Sequence, residues 1–143
     1  MKTDFGASGL FVLVFGVLVV FAASANAAIV TFKADLKGSN LVPPSNLSGT
    51  GYLTATLNTA SNVLTWHVSV LRFSGRHAGI AFHGPANPNE NAGPILSRGS
   101  PFAGSATLTN EQAADLIAGY WYAVIYTRPP RRSEIRGQVV RGR

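Results

Sequence analysis

Three histidines, five acidic residues beyond position 28 and no cysteine bound the chemistry open to this 143-residue chain. The missing cysteines exclude disulfides, thiol nucleophiles and thiolate metal sites. A tetrahedral metal site needs three or four placed ligands. His67, His77 and His83 are spaced without a ligand motif, and His67 falls on the polar side of a strand pattern with Thr65 and Ser69. We therefore expect no metal and no cofactor. A serine-hydrolase elbow, Gly-x-Ser-x-Gly, is absent from the sequence. Five acids also offer few carboxylate pairs of the kind that hydrolyse glycosides. The expectation is a chain that is not an enzyme.

Two other groups of polar residues suggest binding. Glu134, Arg136 and Gln138 alternate with Ile135 and Val139. Strand side chains alternate between faces, so the three polar residues are expected on one face. That stripe, with His83 as a partner, either lines a ligand groove or forms an internal network that fixes the last strand; the structural reading is the favoured one. The second group is basic. From Arg128 onward there are six arginines (Arg128, Arg131, Arg132, Arg136, Arg141, Arg143) against one acid, Glu134, in a chain of formal charge +6. Arg128, Arg131 and Arg132 are candidate contacts for a polyanion such as an acidic polysaccharide, with simple solvation as the competing reading. No nucleic-acid-binding motif accompanies them, so nucleic acid is not an expected partner.

The elements that must hold these residues read mainly as strands. Val30, Phe32, Ala34 and Leu36 alternate with polar residues, as do Leu53, Ala55 and Leu57, and then Leu64, Trp66, Val68 and Val70. The last two runs flank Asn58–Asn62 and read as a hairpin. The Gly-, Pro- and Asn-rich stretch 84–94 reads as a loop, 102–108 as a short strand, and 120–127 and 134–140 as two more strands. One short helix is expected near residues 109–118. Thr109-Asn110-Glu111-Gln112 has the capping-box pattern, Ala113, Leu116 and Ile117 make an apolar stripe, and Gly119 stands where helices end. This is a mainly β fold, an antiparallel sandwich or barrel.

The N-terminus reads as an export signal. Lys2 precedes an uncharged apolar run, Leu10–Ala23, and Ala25 and Ala27 give the small-x-small pattern that signal peptidase accepts. The run is shorter than the ~20 residues that span a bilayer as a helix. Residues 1–27 are thus expected to be removed, leaving 28–143 as one secreted domain without a stable membrane anchor.

Several stretches carry a family likeness. Residues 109–119, Trp121-Tyr122, Thr127 and Glu134-Ile135-Arg136-Gly137-Gln138-Val139 closely resemble the C-terminal half of the chordin-type (CHRD) domain. His83-Gly84-Pro85-Ala86 resembles that domain's His-Gly-Pro-Ala motif, and Phe32–Asn40 with Pro43-Pro44 and Gly49-Thr50-Gly51 resembles its opening. Two family histidines are replaced, since Ala81-Phe82-His83 stands for His-x-His and Val124-Ile125-Tyr126 for Asn-Ile-His. The resemblance implies an extracellular binding or structural module; with the basic C-terminal segment, the expected partner is an unknown extracellular ligand, a protein or an anionic polysaccharide. The alternative is a secreted enzyme or metal-binding protein with a degenerate histidine site.

Overall fold

A computed structural model describes residues 16–18, 27–100, 102–128 and 132–143. Eight strands and one α-helix follow one another: β1 (Ile29–Lys37), β2 (Thr50–Asn58), β3 (Val63–Leu71), β4 (His77–His83), β5 (Pro94–Arg98), β6 (Ala103–Thr107), α1 (Asn110–Ile117), β7 (Trp121–Thr127) and β8 (Ser133–Arg141). The export signal falls largely outside the described residues. No helix among those described is long and apolar enough to cross a membrane.

Antiparallel pairing gives one sheet in the order β5-β4-β7-β8-β1-β2-β3-β6. Its two edge strands are consecutive in sequence, so the sheet curls into a nearly closed barrel with the seam between β5 and β6. Period-two patterning drives this. Phe32, Ala34 and Leu36 point inward from β1, Leu53, Ala55 and Leu57 from β2, and Leu64, Trp66 and Val68 from β3. The expected β2–β3 hairpin forms, with Leu53 opposite Val68 and Ala55 opposite Trp66. Phe82 meets Trp66 edge-on at 5.0 Å and Trp121 at 5.8 Å, which ties the two halves of the barrel wall through its core. Fully burying one such ring contributes a few kcal/mol.

The expected helix is present and capped as its sequence requires. Thr109 Oγ1 accepts from the Gln112 N–H, and the Gln112 side chain accepts from the Thr109 N–H. Gly119 takes φ +86°, the left-handed conformation that lets the chain leave the helix. Leu116 and Ala113 are buried and join the barrel core.

Two features depart from the sequence reading. Residues 94–98 form an edge strand, β5, where no strand is expected. Its alternation is short and bounded by Pro94 and Arg98, residues that suit an edge and blur the pattern. The second departure is β7, which is buried on both faces. Trp121, Ala123 and Ile125 face the core, while Tyr122 and Val124 on the outer face are covered together with Ala86. The covering loop spans residues 84–93, and it creates the polar site described next.

Candidate functional site

Three neighbouring strands build the site on the outer wall. In register across the sheet, His83 on β4 lies opposite Tyr122 on β7, and Tyr122 lies opposite Gln138 on β8. Val124 lies opposite Arg136 in the next row. The His83 ring stacks on the Tyr122 ring at 4.9 Å, nearly parallel. The Arg136 guanidinium lies 3.5 Å from the centroid of the same ring. Tyr122 is thus held by contacts from both neighbouring strands, one of them a cation–π contact.

Arg136 is 1 % exposed, yet its hydrogen-bond partners are all neutral oxygens of the 84–93 loop. Nη1 donates to Asn91 Oδ1 at 2.9 Å. Nη2 donates to Glu90 O at 2.6 Å and Asn87 O at 3.3 Å. Gln138 Nε2 adds bonds to Ala86 O and Gly119 O, both 2.8 Å. Asn91 Nδ2 in turn donates to Val42 O at 2.7 Å, which joins the 41–45 loop to the same cluster. Arg136 and Gln138 therefore fasten loops onto the sheet, in line with the favoured structural reading.

His83 completes the cluster. Its Nδ1 lies 2.8 Å from Ala92 O, an acceptor only, so Nδ1 carries the hydrogen. Nε2 lies 2.7 Å from the Tyr126 hydroxyl and accepts from it in the neutral ring. Burial pushes the His83 pKa below 6.5; the Ala92 hydrogen bond opposes this, and the Arg136 charge lowers it further. The unfolded chain therefore binds a proton more readily than the folded one, so stability rises with pH across the interval between the two values. His83 should contribute its full stabilisation above the unfolded-state pKa, with a loss as pH falls through it. Urea midpoints are expected to drop between about pH 7.5 and about pH 5.5. That drop should be smaller in His83→Gln; an identical drop in the variant would assign the pH dependence to other groups.

The expectation of one polar stripe on β8 is corrected by a bulge. Ile135 pairs with Ile125, but Ser133 pairs with Tyr126, so Glu134 is the extra residue on β8. A bulge re-aims a side chain. Glu134 parts from Arg136 and Gln138 and reaches the β3–β4 loop, where Oε1 accepts from the Ser74 N–H at 2.6 Å. It is fully buried, and Oε2 has no hydrogen-bond partner. Glu134 and Arg136 are thus not side by side on one face, and His83 is paired with Tyr126 and Ala92 instead of Glu134.

Glu134 instead positions a basic rim. The β3–β4 loop carries exposed Arg72 and Arg76, and the β7–β8 loop carries exposed Arg128 and Arg132. The Arg128 N–H donates to Arg76 O at 2.8 Å, and Arg132 Nη2 donates to Ser74 Oγ at 3.3 Å. Four arginines from two loops are therefore brought together at one end of the barrel. Arg98, the last residue of β5, pairs with Ile80 in the middle of β4, and the chain leaves β5 toward that end. Glu134 is the one acid among the described residues of 72–76, 98–102 and 128–134, and it is buried. Leu71 and Phe102 stand exposed at the same end, at 67 % and 43 %. Arg131 lies outside the described residues. Arg72 and Arg76 escape a reading of the sequence because only the β4–β7 pairing places their loop beside the C-terminal one.

Among the described residues, no three of His, Asp and Glu lie close enough to hold a metal ion. The barrel and its loop-covered wall define a mainly antiparallel β module with one short helix. A family model for the CHRD domain matches residues 32–139, and the chain belongs to that family. CHRD domains occur in extracellular proteins. No curated protein and no solved structure gives a significant match to the chain.

Proposed function

We propose that this CHRD-domain protein is an exported, non-enzymatic binding module that engages an anionic extracellular partner, an acidic polysaccharide, through its arginine rim. The observation that carries the reading is the convergence of Arg72, Arg76, Arg128 and Arg132 from two hydrogen-bonded loops with no exposed acid between them. Clustered like charges cost stability through self-repulsion, so a maintained cluster fits an anionic ligand that relieves it. The non-enzymatic part of the reading is supported by the outer wall, where His83, Arg136 and Gln138 are engaged in holding loops. The apolar run at 10–23 and the alanines at 25 and 27 support export with cleavage before Ala28.

The test uses exported protein, whose N-terminal sequence is expected to begin at Ala28; recovery of the intact Met1 terminus from the exported fraction would refute cleavage. On immobilised heparin, two double variants carry the same change in charge. Arg76→Ser with Arg128→Ser should elute at clearly lower salt than the wild type. Arg141→Ser with Arg143→Ser should elute close to it. Equal shifts for the two pairs would show that net charge acts without a site, and a wild type that is not retained would refute polyanion binding.

A further inference from the structure

The outer wall also encloses a cavity that the rim does not use. It has a volume of about 440 Å³ and lies between the sheet face and the 41–45 loop. That is within the ~300–1,000 Å³ range of small-molecule sites. Its apolar side is formed by Leu41, Val42, Pro43 and Val124, and its polar side includes Tyr126 and Arg136.

The charge balance of this cavity is one-sided. Arg136 has five N–H donors; among the described residues it makes three hydrogen bonds to neutral oxygens and a cation–π contact with Tyr122. A buried cation is normally compensated by an anion. Here the loop supplies a side-chain amide and two carbonyl oxygens and the sheet supplies the face of the Tyr122 ring, so two N–H groups have no hydrogen bond to the described residues and no anion among them balances the charge. His83 adds no second charge, since its Nδ1–H and Nε2 are both used in the neutral ring.

We propose that this cavity binds a small monocarboxylate with a compact apolar body, its carboxylate on Arg136 and its body against Leu41, Val42, Pro43 and Val124. One cation matches one negative charge. A phosphate or sulfate dianion would carry surplus charge into a half-apolar cavity, and a neutral molecule would leave the guanidinium uncompensated.

The probes are benzoate, its neutral isostere benzamide, and phenyl phosphate, followed by amide chemical shifts of the full-length domain. Benzoate is expected to give saturable shifts at the amides of Val42, Asn91 and Val124, with benzamide and phenyl phosphate at least about tenfold weaker. Val42→Asp places a like charge at the mouth of the cavity, on a loop residue that is partly exposed. Like-charge juxtaposition disfavours association, so Val42→Asp should weaken benzoate at least about tenfold while its amide spectrum stays folded. The Arg76→Ser, Arg128→Ser variant should bind benzoate as the wild type does, which separates this site from the rim. No saturable shift, equal binding of benzamide, or unchanged binding in Val42→Asp would each overturn the proposal.

Discussion

Replacing Arg136 by Met is expected to lower the stability of the domain by roughly 3 kcal/mol and its melting temperature by about 10 °C. Hydrogen bonds to charged groups contribute about 1.5–3 kcal/mol each. Arg136 makes three, all to the loop that covers Tyr122 and Val124. Methionine fills much of the same volume but leaves Asn91 Oδ1 and the Glu90 and Asn87 carbonyls without their donor. The loop then re-solvates and exposes the outer face of β7, which recovers part of the lost hydrogen bonding at the expense of apolar burial. Arg141 provides the comparison, because it is exposed at the end of β8. Arg141→Met should change stability by less than about 0.5 kcal/mol. Thermal melts followed by near-ultraviolet circular dichroism, which reports the Tyr122 environment, would measure both. Equal and negligible effects would mean that Arg136 does not hold the loop.

Gly137→Ala is expected to cost about 3 kcal/mol, the upper end of the overpacking range, because the obstacle is main chain. An added Cβ would meet the Asp35 carbonyl oxygen within van der Waals contact and would sit 2.8 Å from its carbonyl carbon. β1 and β8 are hydrogen-bonded neighbours, so the clash is relieved only by parting the two strands that join the halves of the barrel. Gly93 is the counterpart, since a Cβ there meets nothing within 4 Å. Urea unfolding should show a clearly lower midpoint for Gly137→Ala and an almost unchanged one for Gly93→Ala. A Gly137→Ala midpoint equal to that of wild type would show that β8 moves freely against β1.

Much of the barrel is legible in the sequence because period-two patterning acts locally. β1, β2 and β3 each alternate cleanly, and Thr109 with Gln112 announces the helix within four residues. What is not legible depends on pairing between distant segments. The burial of Tyr122 and Val124 requires a loop from 84–93 to fold over β7, and no local pattern distinguishes this from a strand with a wet face. The bulge at Glu134 shifts one residue in the register, and that single step sends its side chain to Ser74 instead of along the stripe with Arg136. Of the three family positions replaced here, Ala81 (histidine in the family) and Val124 (asparagine in the family) lie opposite one another on β4 and β7. The third position, Tyr126, now supplies the hydroxyl that His83 accepts from, so a ring–hydroxyl pair occupies the place a second imidazole would take.

Recognition of a polyanion by the arginine rim is measured most directly as affinity for heparin as a function of salt. Polyanion binding that releases counterions gives a linear fall of log Kobs with log salt, with a slope set by the number of contacts. The wild type should show a steep slope. The variant with Arg72, Arg76, Arg128 and Arg132 all replaced by Ser should bind weakly with a slope near zero, while its melting temperature stays close to that of wild type. A variant that binds with the wild-type affinity and slope would contradict the account, because the charge that recognises the polyanion would then lie elsewhere on the domain.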